Sequence, residues 1–231
     1  MNLAKKGTII SIKQIAKRTV EAVIKVSEDF NFIAGQYIWL MVPKLKYPDP
    51  RGNTRMFSIA SSPNLKGELN IIFRISGSGY KKTLVEMTPG EEIIFSGPYG
   101  HMMLPEDNSL PIVFMAGGVG IAPFLSMIRF SNETSSEHKI TLIYANANRE
   151  EAAYLNELTQ TQGQNPNFKL ITVFGKLSME TLKKITKQPF KAIWSVVGPQ
   201  GFIDFAGKYL SERGIPFKDI VFEQFYPNPA S

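Results

Sequence analysis

The sequence predicts two domains: an antiparallel six-stranded β-barrel, then an α/β domain built on a parallel sheet. Three observations carry this. Up to about residue 102, β-branched and aromatic runs are separated by turn signals such as Ala34-Gly35, Pro48-Asp49-Pro50-Arg51-Gly52 and Pro89-Gly90. From about residue 111, apolar strands alternate with helical segments, as in a parallel sheet covered on both faces. Between the two rhythms lies LPEDNSLP, with proline near each end and acids in the middle. The boundary is placed there, giving domains 1–104 and 105–231.

In the first domain the strands are GTIISIKQ, RTVEAVIKVS, QYIWLMVP, TRMFSIAS, ELNIIFRI and EEIIFSG. Their alternating faces suit a small closed barrel. One amphipathic segment, YKKTLVEM, interrupts them as a short helix. In the second domain, strands are expected at 111–115, 139–145, 168–174, 191–197 and 219–225. Helices are expected near 123–130, 150–160, 179–187 and 200–213, with Ser178 as an N-cap and Gly214 as a C-terminal stop.

Composition narrows the function. The 231 residues are 43% apolar and 11% aromatic, which is ample for a core. There is no cysteine, so disulfides, thiol catalysis and cysteine-ligated metal clusters are excluded within this chain. His101 and His138 lack matched carboxylates, so no metal site is expected. The net charge of +6 comes from scattered residues, without a long basic run or an RNA-reading motif, and nucleic acid is not an expected partner. No stretch approaches the roughly 20 apolar residues of a membrane span. The N-terminus, MNLAKKGTIISIKQ, lacks an apolar signal core, so the expectation is a soluble, cytoplasmic protein.

The densest motif is PIVFMAGGVGIAPF, 111–124, a strand that turns through glycines into a helix. Gly117, Gly118 and Gly120 remove Cβ atoms where backbone must turn tightly and approach a phosphate. Pro123 stands where the usual dinucleotide fingerprint has its third glycine, and it fits a first helical turn. An ordinary tight βα turn is the plainer alternative. The acid expected about 20 residues on, gripping a ribose, is missing, so this is not an ordinary NAD dehydrogenase. The second strand instead runs out through Asn146-Ala147-Asn148-Arg149. In the barrel, Arg55-Met56-Phe57-Ser58 offers a guanidinium, a ring and a hydroxyl for an anionic planar ligand. Gly77-Ser78-Gly79-Tyr80 opens the short helix as a further anion site. Taken singly, these two read equally as a strand with alternating faces and a turn with a charged helix.

Together, and in this order, the motifs resemble the ferredoxin–NADP reductase superfamily of flavoproteins. The marks are Arg55-x-Phe57-Ser58, Gly77-Ser78-x-Tyr80, Gly97-Pro98-Tyr99-Gly100, Gly117-Gly118-x-Gly120-x-x-Pro123, Val197-Gly198-Pro199 and Phe222-Glu223-Gln224-Phe225-Tyr226. The resemblance implies an FAD-binding barrel and an NAD(P)-binding α/β domain. It implies that Arg55 neutralises the flavin pyrophosphate, Phe57 packs on the flavin, and Ser58 hydrogen-bonds near flavin N5. Gly77, Ser78 and the amides of Gly79 and Tyr80 would hold the pyrophosphate. Gly118, Gly120 and Pro123 would admit the nicotinamide nucleotide, and Gly198 and Pro199 would border the nicotinamide. Glu223 would lie near that ring, and Phe225 or Tyr226 near the flavin face. Ser58 and Glu223 are thus the expected catalytic residues.

Three departures qualify the likeness. Phe57 replaces a frequent tyrosine, Val197 replaces a frequent cysteine, and Ala147 and Asn148 stand where NADPH-specific members place arginine. The last tilts the expected donor toward NADH. The implied activity is an NAD(P)H-dependent flavoprotein reductase that passes hydride to FAD and single electrons onward. Without cysteines or length for a fused iron–sulfur domain, the acceptor is expected to be separate. A ferredoxin, a flavodoxin, an oxygenase component or a small molecule would serve. The alternative is a non-catalytic, flavin-containing electron-transfer or redox-sensing subunit.

Overall fold

The computed structural model describes residues 4–186 and 191–224. By contacts the chain forms two units, Met1–Leu104 with Ala122–Phe130, and Pro105–Ile121 with Ser131–Ser231.

The first unit holds β1 (Lys5–Ala16), β2 (Thr19–Lys25), β3 (Tyr37–Met41), β4 (Thr54–Ser58), β5 (Glu68–Arg74), α1 (Gly79–Val85) and β6 (Glu92–Tyr99). The six strands pair antiparallel in the order β4-β3-β6-β1-β2-β5. A bridge between Ile59 and Ile71, and the Ala60 amide donating to the Asn70 carbonyl at 2.7 Å, bring the two edge strands together. Every second residue points inward, as β-branched and aromatic side chains on a pleat require. Ile9, Ile24, Ile38, Leu40, Ile71, Phe73 and Phe95 thereby fill the core. Helix α1 contributes Tyr80 and Leu84 to the same core. Within this unit Ser126 Oγ donates to the Ser61 carbonyl at 2.6 Å, and Arg129 Nη1 to that of Ala60 at 2.9 Å.

The second unit is built on β7 (Ile112–Gly117), β8 (Ile140–Asn146), β9 (Phe168–Phe174), β10 (Ile193–Gly198) and β11 (Ile220–Gln224). The strands are joined through α2 (Ile121–Glu133), α3 (Leu155–Gln164), α4 (Met179–Ile185) and α5 (Gln200–Glu212). All five strands are parallel, in the order β11-β10-β7-β8-β9. The chain starts in the middle, moves outward to β9, then crosses back to β10. Its winding therefore reverses between β7 and β10. All six residues of β7 are buried, so both of its faces are covered. Val113 and Met115 join the core under α4 and α5, while Ile112, Phe114 and Ala116 alternate with them.

One predicted helix differs. Residues 150–160 do not form a single helix. Arg149–Glu151 make a 3-10 turn capped by Asn148, and Tyr154 takes a left-handed φ of 58° before α3 begins. Ser178 caps α4 as expected, accepting from the Thr181 amide at 3.1 Å. Gly214 follows α5 with a φ of 70°. Among the described residues no helix is long and apolar enough to cross a membrane.

Candidate functional site

In the second unit, the expected nucleotide residues converge where the winding reverses, at the carboxyl ends of β7 and β10. That crevice is the usual ligand position in an open parallel sheet. Gly118–Gly120 form a single 3-10 turn after β7, with Gly118 at a φ of 56°. A Cβ on Gly120 would fall 2.3 Å from the Val197 carbonyl oxygen, so only glycine lets the two chains approach this closely. Pro123 is in the first turn of α2, where its missing amide costs no helical bond. Gly198 ends β10 and Pro199 is the N-cap of α5. The ring of Phe202, not singled out in the sequence, lies over both strand ends. A Cβ on Gly117 would meet it at 3.0 Å and one on Gly198 at 2.8 Å.

Two polar side chains near this edge lack partners. Glu223 lies beside Val197 in the β10–β11 register, and its Oε2 is buried without a hydrogen bond. Burial pushes its carboxyl up to about 7. Asn146, the last residue of β8, is 6% exposed, and neither side-chain polar atom has a partner. In the following turn Asn148 Oδ1 accepts from the Glu151 amide at 3.1 Å. Ala147 and Arg149 are exposed there. Phe225 and Tyr226 lie outside the described residues.

In the barrel unit, β4 presents its side chains alternately. Arg55 and Phe57 point to one face, Met56 and Ser58 to the other. Ser58 is 2% exposed, and its Oγ has no hydrogen-bond partner. Phe57 packs in the barrel core, 5.9 Å from the Phe73 ring and 6.1 Å from that of Tyr80. Phe57 thus stands beside Tyr80 on the strand face that carries Arg55. The physical reason is the strand period: position 57 shares the inward face with position 55.

Arg55 is held tightly. Its Nη1 faces the carbonyls of Arg51, Gly52 and Thr54 at 3.0, 3.0 and 2.7 Å. Its Nη2 donates to Asp49 Oδ1 at 2.6 Å, and its guanidinium lies 4.9 Å from the centre of the Tyr80 ring. Asp49 also accepts from the amides of Arg51 and Tyr80, each at 2.9 Å. Burial pushes the Asp49 carboxyl up, but those two amides and the Arg55 charge outweigh it and hold it below the usual range. Lys81, in the first turn of α1, lies in the field of Arg51, Arg55 and Arg74. Burial first, and then the charges of the three arginines, pull the Lys81 ammonium below its ordinary value.

Helix α1 starts against this cluster. Ser78 is its N-cap, accepting from the Lys81 amide at 3.2 Å, and the Tyr80 amide is taken by Asp49. A Cβ on Gly79 would fall 2.1 Å from the Pro48 carbonyl oxygen. Gly77 stands just ahead in open space. Sequence reading missed Asp49, Arg51, Arg74, Lys81 and Asn146. For Asp49 the available signal was an acid inside a Pro-x-Pro turn shortly before Arg55.

Comparison with known proteins fits this division. The profile of the oxidoreductase FAD-binding domain matches residues 6–104, and that of the oxidoreductase NAD-binding domain matches residues 114–207. Flavohemoprotein A of Dictyostelium discoideum is 28% identical over 85% of this chain and 53% of its own length. The propane 2-monooxygenase reductase component of Mycolicibacterium goodii is 27% identical over 87% of this chain and 60% of its own. The chain thus spans between half and two thirds of these relatives. Among solved structures, an Amycolatopsis cytochrome P450 reductase superposes with a TM-score of 0.84 at 20% identity, covering 98% of this chain and 72% of that one. Ferredoxin-NADP+ reductase from Plasmodium falciparum gives 0.81 at 20% identity, covering 97% and 99%.

Proposed function

The chain belongs to the ferredoxin–NADP reductase superfamily, and on that premise we propose that it is an NAD(P)H-dependent flavoprotein reductase. Its FAD, when bound, accepts hydride from the nicotinamide and releases electrons singly to an acceptor. Residues 1–104 would hold FAD and residues 105–231 the nicotinamide nucleotide. The carrying observation lies on β4. One end holds Arg55, whose charge also acts on Lys81 at the start of α1; the other holds a buried hydroxyl, Ser58 Oγ, with no partner. A ligand with an anionic phosphate chain and a polar ring edge satisfies both.

In this reading Arg55 neutralises the phosphates, with Ser78 and the backbone around Gly77, Gly79 and Tyr80 beside them. Ser58 donates its hydroxyl to the flavin ring edge where hydride arrives, and Phe57 supports Arg55 from the core. Gly118, Gly120 and Pro123 shape the passage for the nicotinamide nucleotide, and Gly198 and Pro199 border its ring. Glu223 lies near that ring and holds or releases a proton on Oε2 around neutral pH. Phe225 or Tyr226 screens the flavin face. NADH is favoured over NADPH because Ala147 and Asn148 stand after β8 where NADPH-specific members place arginine, with Arg149 one step later. The acceptor would be a ferredoxin, a flavodoxin, an oxygenase component or a small molecule. A net charge of +6 suits an acidic protein partner. The cytoplasm, where the nicotinamide nucleotides are at hand, is the proposed location.

The test is the visible spectrum of the purified, FAD-loaded protein under anaerobic conditions, before and after NADH or NADPH. Bleaching within seconds, faster with NADH, supports the reading. A flavin spectrum that neither donor bleaches would favour an electron-transfer subunit that works only with its partner. Colourless protein that ignores added FAD would refute the assignment.

A further inference from the structure

We propose that Asp49 is the positioning residue of the flavin phosphate site, holding Arg55 and the start of α1 in place so that together they receive the phosphates. This rests on the flavoprotein reading above. Three observations carry it.

The first is connectivity. One carboxylate ties three separate pieces of chain: its own turn through the Arg51 amide, β4 through Arg55, and α1 through the Tyr80 amide. Its side chain is 1% exposed, so the charge is fully engaged rather than loosely paired at the surface. The second is delivery. The turn is pressed so closely on α1 that a Cβ at Gly79 would overlap the carbonyls of Pro48 and Tyr47, at 2.1 and 2.5 Å. The carboxylate therefore has no freedom to swing away while α1 keeps its place.

The third is charge. The charges of Arg51, Arg55 and Arg74 act on Lys81 in the first turn of α1, and Arg55 is paired with Asp49. Cations that act on one another in this way favour an anionic ligand such as a phosphate. Without Asp49 the guanidinium of Arg55 would keep its backbone carbonyls on Nη1 but lose the carboxylate that holds Nη2. A rigid guanidinium gives directional phosphate bonds that a mobile one does not. Asp49 therefore acts through Arg55 without touching the flavin ring.

The experiment compares FAD with riboflavin, which carries the same ring and no phosphate. Dissociation constants of both are measured by flavin fluorescence for wild type and Asp49→Asn, alongside far-ultraviolet circular dichroism. Loss of one charge-assisted contact predicts FAD binding weaker by roughly 10- to 100-fold. Riboflavin affinity should change by less than about 2-fold, the size of an ordinary surface effect. A merely structural role would weaken both ligands alike and would overturn the proposal. Tighter FAD binding would also overturn it, by making Asp49 a competitor of the phosphates. Should Asp49→Asn fail to fold, Asp49→Glu keeps the charge but moves it by one methylene. It should lose at least about 5-fold for FAD with riboflavin unchanged, and equal losses would sink the idea. Wild type that binds neither flavin would instead sink the functional reading itself.

Discussion

Replacing Glu223 with glutamine should make the protein more stable, by an amount that grows from about pH 5 and levels off above about pH 7. In the fold its carboxyl is buried beside β10 with Oε2 unpartnered, and it titrates at about 7 instead of 4.5. The sign follows from linkage. Below the unfolded value of about 4.5 both states are protonated and Glu223 imposes no penalty. As pH rises toward 7 the unfolded chain ionises while the folded one resists, and stability falls. Above about 7 the penalty is constant. The interval corresponds to roughly 3 kcal/mol at about 1.36 kcal/mol per pH unit. Partial access to solvent reduces this to about 1–2 kcal/mol. Urea unfolding of wild type and Glu223→Gln at pH 5, 6, 7 and 8.5 measures it. The variant's advantage should grow by about 1–2 kcal/mol between pH 5 and pH 8.5. In the same window the pH profile of flavin reduction should lose its break near 7. A stability difference that stays flat would show that Glu223 is solvated or paired, and would remove its pH-dependent role.

Two further substitutions test one residue in each unit. Gly120→Ala places a Cβ 2.3 Å from a backbone oxygen of β10. Neither chain can yield cheaply, so thermal unfolding should show a loss of about 2–3 kcal/mol, and NADH affinity should fall. Wild-type stability in that variant would mean the strands are farther apart than described. Ser58→Ala removes a buried hydroxyl that has no partner in the folded chain. The flavin-free protein should keep its stability or gain up to about 1 kcal/mol. Stopped-flow reduction of the flavin-loaded variant by NADH should slow by roughly tenfold, the scale of one lost hydrogen bond. An unchanged rate would take Ser58 out of the reacting centre.

How much of this was legible depended on the range of the interaction. Period-two runs such as ELNIIFRI announce strands because the burial that selects them is local to the pleat, and β5 forms at Glu68–Arg74. The glycine turn after β7 was legible for the same reason: its three glycines sit within four residues. The break before α3 was not. Glu150 to Ala153 are good helix formers, yet the chain stops to let Ala152 and Ala153 bury and Tyr144 Oη donate to the Ala153 carbonyl at 3.3 Å. Asp49 read only as part of a turn, because its decisive partner, the Tyr80 amide, lies 31 residues away.

The unpaired polar atoms give a separate argument for where ligands enter. A buried polar group without a partner costs about 1–3 kcal/mol, so folded chains leave few of them. Here Ser58 is the last residue of β4, Asn146 the last of β8, and Glu223 the last but one of β11. Asn70 Oδ1, within β5, differs in kind, because the same amide already donates to Glu21 at 2.9 Å. Ser58, Asn146 and Glu223 thus stand at or next to carboxyl ends, and in the parallel sheet, which holds Asn146 and Glu223, that is the edge on which ligands bind. A chain that keeps serine, asparagine and glutamate at those positions bears a cost that apolar residues would avoid. On the proposed reading, bound flavin and nicotinamide nucleotide would supply the missing partners and offset that cost.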